Sequence, residues 1–219
     1  MFIPIDFENW NRKELYEHYY GYQLTFTLQI DITDLYNYIK KENKKFYPII
    51  SWVITKTVND DSDFRFMIRN GQIGYMDKLG TNFTVVRDSD PTLFTHGVTP
   101  YYDDVEKYYS EFQKNKKLAE AGNSLYYNAS ASENCVDIST TPLISFESLS
   151  LNIPSNFYGN KDKAKLSPFT CVGKYKVEGD KVILPVCTNF HHCVNDGHHI
   201  QKFFALLQKN LGTFKSFTS

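Results

Sequence analysis

The chain has 219 residues, 42% of them hydrophobic, which suffices for one sizeable buried core. Its 24 basic and 25 acidic residues leave a net charge of −1 at pH 7, so no bulk field favours nucleic acid or a membrane surface. No apolar run reaches the ~18 residues of a membrane span, and the N-terminus Met1-Phe2-Ile3-Pro4-Ile5-Asp6 lacks signal-peptide character. Cys135, Cys171, Cys187 and Cys193 show no CxxC spacing, which predicts reduced thiols in a cytoplasmic protein.

In chain order, Asn9–Tyr20 reads as a short helix, and Tyr22–Ile30 as a half-buried strand in which Leu24, Phe26, Leu28 and Ile30 alternate with polar residues. Asp31-Ile32-Thr33-Asp34 caps a helix running to about Lys41, and the apolar stretch Tyr47–Val58 is long enough for a buried helix. Asn70-Gly71 is a hairpin signal between Phe66–Ile68 and Ile73–Tyr75. Short strands follow near Phe83–Arg87 and Thr92–His96. A long amphipathic helix then spans Asp103–Gly122, with Asp103 or Asp104 at its cap.

Gly122–Asn134 reads as a polar loop, Val136–Leu151 as two strands near Ile138 and Ile144, and Asn156–Ser167 as another loop. A second hairpin, Phe169–Val177 with Lys181–Phe190, turns about Glu178-Gly179-Asp180. Ile200–Leu207 carries apolar residues at helical spacing, with Asp196 at its N-cap. Interspersed helices and hairpins, without repeats or a linker, predict one domain over residues 1–219. Its fold class is α/β, an α+β two-layer sandwich in which a mixed β-sheet is covered by helices.

The run His191-His192-Cys193-Val194-Asn195-Asp196-Gly197 lies at the predicted strand-to-helix junction. Three readings compete for its histidines. Metal binding is disfavoured, because neighbours on a strand point to opposite faces and His191 and His192 cannot easily share an ion; no metal is expected. A structural or surface role suits His18, His96, His198 and His199. In the third reading one histidine is a general base, since imidazole takes and returns a proton near neutrality.

His191-His192-x-x-x-Asp196-Gly197 resembles the HHxxxDG motif of CoA-dependent acyltransferases, and the whole chain resembles the chloramphenicol acetyltransferase family. The resemblance includes Asn9-Trp10-Asn11-Arg12-Lys13-Glu14, Ile30-Asp31-Ile32-Thr33, Lys45-Phe46-Tyr47-Pro48 and Asp63-Phe64-Arg65. Later matches are Ile138-Ser139, the run Phe146 to Asn152, and Glu178-Gly179-Asp180 with Ile183-Leu184-Pro185.

The resemblance implies that His192 removes the proton of an acceptor hydroxyl, which attacks the thioester of acetyl-CoA directly. It implies that Ser139 stabilises the tetrahedral oxyanion. It moves Asp196 from a catalytic acid to a structural anchor paired with Arg12. For acetyl-CoA it implies Lys45, Tyr47, Lys174 and Tyr175. For chloramphenicol it implies Tyr19, Thr84, Phe94 and Tyr126, with Leu149 and Cys171 at further lining positions.

The chain departs from the family pattern at His18 and Leu149, where phenylalanines are typical, at Cys171 for a threonine, and at Leu143 for a tryptophan. The link Tyr20–Gln23 is also shorter. The family implies a homotrimer with sites at subunit interfaces, and a role in antibiotic inactivation. The rival readings are a related acetyltransferase acting on another hydroxylated small molecule, and a catalytically weak binding protein of the same fold. A dihydrolipoyl acyltransferase core shares the histidine motif but is disfavoured for want of a lipoyl domain and flexible linkers.

Overall fold

The computed structural model describes residues 1–150 and 163–217. Among these the order is β1 (Phe2–Pro4), α1 (Lys13–Tyr19), β2 (Gln23–Asp31), α2 (Thr33–Lys41), α3 (Phe46–Asn59), β3 (Phe66–Arg69), β4 (Gln72–Met76), β5 (Gly80–Val86) and β6 (Phe94–Thr99). There follow α4 (Val105–Glu120), α5 (Ala129–Ser132), β7 (Cys135–Thr140), β8 (Lys163–Lys165), β9 (Phe169–Val172), β10 (Lys176–Glu178), β11 (Lys181–His191) and α6 (Gly197–Leu211).

The main sheet runs β10-β11-β9-β7-β5-β6, and β2 pairs with the other edge of β11. It is mixed: β5–β7 and β7–β9 are parallel and the remaining pairs antiparallel. A smaller antiparallel sheet has the order β1-β4-β3-β8. This is the α/β architecture expected, a mixed sheet with helices packed on one side.

Side-chain alternation gives the main sheet two chemically different faces. Phe83, Val85, Val136, Ile138, Val172, Leu184, Val186 and Phe190 join the large core with residues of α2, α3, α4 and α6. Helix α3 is apolar almost all round and nearly wholly buried, as a central helix must be. The opposite face carries Asn82, Thr84, His96, Asp137, Ser139, Cys171, Cys187, Asn189 and His191. A second apolar cluster joins Phe66, Ile68, Ile73 and Leu166 of the small-sheet region to Cys193 and Val194. The turn after β11 is thereby clamped between the two sheets.

Local signals account for most boundaries. Asn70 and Gly71 take φ of 50° and 72° at the tip of the β3–β4 hairpin, which their residue types tolerate. Asp104 accepts from the amides of Glu106 and Lys107 at the start of α4. At α2 the capping differs from expectation. Ile32 is the cap residue, and Asp31 accepts from the Thr33 amide and hydroxyl at 3.0 and 2.6 Å.

Other expectations are corrected. The first helix is shorter than Asn9–Tyr20, because residues 7–13 form turns closed by Trp10 N–H to Phe7 O and Lys13 N–H to Trp10 O. No strand forms near Ile144. After Thr140 the chain turns at Pro142, Ile144 N–H donates to Thr141 O, and Leu143 and Ile144 are exposed. The second hairpin has β10 as its short arm, while β9 is a separate strand paired with the middle of β11. Leu151, Asn152 and most of the expected loop Asn156–Ser167 lie outside the described residues. The four thiols are free and buried.

Candidate active site

Strand β11 ends at His191, and His192 sits in the turn that follows. Val194 and Asn195 donate their amides back to His191 O at 3.1 and 2.9 Å, and His192 N–H donates to Tyr22 O at 2.9 Å. Buried Asn195 donates through Nδ2 to Asp63 O at 2.9 Å. The His192 ring lies on that of Tyr19, with centroids 4.0 Å apart and planes at 21°. Its Nδ1 is buried without a hydrogen-bond partner among the described residues. His191 points to the sheet's polar face, and burial pulls its pKa down to about 4, so it is neutral at pH 7.

Asp196 caps α6, accepting from His198 N–H at 3.0 Å. Its other oxygen accepts from Arg12 Nη1 at 2.9 Å, so the pair expected from the sequence is formed. His199 Nδ1 lies 2.9 Å from Asp196 Oδ1, and its Nε2 3.7 Å from Asp63. Partial burial alone would raise the Asp196 pKa, but His199 and Arg12 hold the carboxyl well below the usual carboxylate range. His199, for which the sequence predicts a structural or surface role, is structural, and its contact with Asp196 goes beyond that expectation. The signal was available, since three residues separate a cap aspartate from a side chain that can reach back to it. Cys193 is fully buried and burial pushes its thiol up to about 12, which makes it no partner for His192.

Ser139, Thr84, Cys171, Phe94 and Tyr126 gather elsewhere on the polar face. Ser139 Oγ is 3.3 Å from Thr84 Oγ1, and Ser139 pairs in register with Cys171. The buried phenol of Tyr47 donates to Ile138 O and accepts from Thr84 N–H, both at 3.3 Å. Burial raises its pKa, so it stays protonated and fixes the spacing of β5 and β7 beside Ser139. Tyr47, which the resemblance implies for acetyl-CoA, therefore also underlies the serine strand.

Backbone bonds between His96 and residues Leu125 and Tyr127 bring Tyr126 alongside β6. Its ring stacks on His96, 4.6 Å between centroids. Phe94 packs edge-on against the same histidine. Leu149 O accepts from the thiol of Cys187, which pairs in register with Cys171.

The remaining positions expected to meet acetyl-CoA lie together at the head of α3. Lys45 is the exposed cap residue, and Phe46 packs on Tyr175 with centroids 5.6 Å apart. Lys174 is exposed and donates its amide to Ile144 O at 2.8 Å, so exposed Leu143 lies nearby. Two lysines beside aromatic surface suit an anionic, elongated ligand. Among the described residues no group of three or more His, Cys, Asp or Glu side chains is arranged to hold a metal ion.

One chain does not bring His192 and Ser139 together. Ser139 pairs with Cys171 and Cys171 with Cys187, which is four residues before His191. Two strand spacings and four residues of strand put about 16 Å between positions 139 and 191.

Comparison with known proteins gives a consistent result. The family model described as "Chloramphenicol acetyltransferase" matches residues 1–208. A chloramphenicol acetyltransferase of Staphylococcus aureus is 33% identical over 211 residues, covering 95% of this chain and 94% of the relative. That of Proteus mirabilis is 29% identical, covering 94% and 93%. A solved chloramphenicol acetyltransferase superposes with a TM-score of 0.82 at 20% identity, covering 96% of this chain and all of the other. The dihydrolipoamide acetyltransferase of Azotobacter vinelandii gives 0.67 at 14% identity over 94% and 88%, a likeness of fold.

Proposed function

This chain belongs to the chloramphenicol acetyltransferase family, and from that premise we propose that it moves the acetyl group of acetyl-CoA to a hydroxyl of chloramphenicol. The observation that carries the reading is His192, held on Tyr19 in the turn after β11 with its Nδ1 buried. With its proton on Nδ1, the ring takes the acceptor's hydroxyl proton at Nε2 as the oxygen attacks the thioester carbonyl. It then returns that proton to the departing thiolate. A placed imidazole contributes roughly 10²–10⁴-fold to such a step. The carbonyl oxygen becomes an oxyanion, and Ser139 Oγ donates to it.

Asp196 and Arg12 anchor the turn and take no proton. Lys45, Tyr47, Lys174 and Tyr175 receive acetyl-CoA, Tyr47 also bracing the strands beside Ser139. Tyr19, Thr84, Phe94, Tyr126, Leu149 and Cys171 surround the acceptor. Each site takes His192 from one subunit and Ser139 from a neighbour in a homotrimer. The separation of the two residues within one chain supports this, as does the exposure of Phe94 and Tyr126. We place the protein in the cytoplasm, where it would inactivate the antibiotic; among the described residues no helix is long and apolar enough to cross a membrane.

The test is thiol release from acetyl-CoA in the presence of chloramphenicol. The wild type turns over, and His192→Ala loses at least about 10²-fold in kcat while its circular dichroism is unchanged. Turnover of the variant at near wild-type rate removes the base from His192. A wild type inactive on chloramphenicol but active on another alcohol moves the reading to a related acetyltransferase. The altered pocket positions His18, Leu149 and Cys171 favour that second reading.

A further inference from the structure

Helix α1 serves two regions. Tyr19 meets the His192 ring, whereas Tyr16, Glu17 and the cap residue Tyr20 line a cavity of about 700 Å³ between the N-terminal segment and the β3–β4 hairpin. Ile5 N–H donates to Ile73 O at 3.1 Å, which pins that segment to the hairpin and closes the floor. Neither His192 nor Ser139 belongs to the lining. The volume is that of a site for a small organic molecule.

One wall is aromatic and continuous. Phe7 and Tyr16 meet edge-on with centroids 5.5 Å apart, and Tyr16 and Tyr20 follow at 5.4 Å, four residues apart on one helix face. Burial raises the pKa of both phenols, so the wall is neutral at pH 7 and offers the negative faces of its rings.

The rim is acidic. Asp6, Glu8 and Glu17 are exposed carboxylates, and among the described residues the lining holds no Lys, Arg or His. A cation of the protein itself already uses this combination at the edge. Lys13 Nζ donates to Glu8 while lying 5.4 Å over the Phe7 ring. The three carboxylates are not gathered for a metal ion, since among the described residues no group of three or more His, Cys, Asp or Glu side chains is so arranged. Charges spread around a ring-lined cavity match a positive charge carried on a large apolar body.

We propose that this cavity is a second binding site, for a lipophilic organic cation, whose body lies against Phe7, Tyr16 and Tyr20 and whose charge lies among Asp6, Glu8 and Glu17. An anion of the same shape meets the carboxylates and is repelled. Binding there does not depend on acetyl transfer.

The test is calorimetry with tetraphenylphosphonium and tetraphenylborate, which carry the same four phenyl groups about a central atom of opposite charge. The wild type binds the cation at least about tenfold more tightly than the anion. Combining Asp6→Asn, Glu8→Gln and Glu17→Gln, all at exposed positions, weakens the cation by about tenfold or more and leaves thermal unfolding cooperative. Phe7→Leu keeps the carboxylates, removes one ring and weakens the cation by about threefold or more. Equal affinity for the two ions, no binding to the wild type, or a cation affinity unmoved by the combined carboxylate change overturns the site. Displacement of the cation by chloramphenicol or acetyl-CoA assigns it to the transfer site and overturns the proposal as well. If Phe7→Leu does not fold, the carboxylate variant decides.

Discussion

The two oxygens of Asp196 meet Arg12, His199 and the first amides of α6, so one carboxylate starts the helix and also holds the turn that carries His192. Removing a helix cap costs about 0.5–2 kcal/mol. Stripping a partly buried arginine of its partner adds to that, discounted because Asp196 is 30% exposed. Asp196→Ala is therefore expected to lose about 2–3 kcal/mol in urea unfolding, with Asp196→Asn recovering part of it through the cap.

The pH dependence has two windows. The depressed Asp196 carboxyl contributes stability that is complete above its ordinary value and lost as pH falls below it. His191 is neutral in the fold, with its pKa lowered to about 4, while the unfolded chain takes up a proton near 6.5. The unfolded state thus binds more protons between these values, and stability falls as pH drops through them. From pH 7 to pH 5 the loss from His191 is about 2 kcal/mol, and unfolding titrations of His191→Gln should show a flatter profile. At this scale the motif made His192 and Asp196 legible, and the Arg12 pair followed from the resemblance. The bond from Asn82 Nδ2 to Asp137 left no mark in the sequence, because it depends on strands brought together by pairing.

At the scale of elements, the reading succeeded where the periodicity had one interpretation. Strand β11 runs eleven residues, and its apolar run from Val182 to Cys187 suits a strand in the middle of a sheet, paired along both edges. The Asn70-Gly71 hairpin and the Asp104 cap likewise followed from single residues with strong local preferences. The error near Ile144 has a definite cause. Leu143 and Ile144 look like strand residues, yet the backbone is turned aside at Pro142 and tied to Thr141 and Lys174.

Strand β6 packs at its closest on Gly97. An added Cβ would lie 2.5 Å from the Phe83 ring, which is itself stacked on Phe112 at 4.0 Å. Gly97→Ala must displace that pair or shift β6, and overpacking of this kind costs about 1–3 kcal/mol. A lowered melting temperature with weakened chloramphenicol turnover is the expected result, since His96 and Phe94 ride on the same strand.

Across the whole molecule, two sheets meet at the turn after β11, and a single wide sheet separates the proposed base from the proposed oxyanion donor. Composition and pattern announced a mixed sheet under helices. They carried no information about which strands would lie side by side, so the distance from His192 to Ser139 was beyond their reach. That distance has a genetic consequence. Two chains that are each inert, one carrying His192→Ala and the other Ser139→Ala, possess between them every group that a shared site requires. Unfolded together in equal amounts and refolded as trimers, they should regain about a quarter of the wild-type activity, because that fraction of the subunit boundaries joins an intact histidine to an intact serine. Chains that complete their own sites would stay silent however they were mixed.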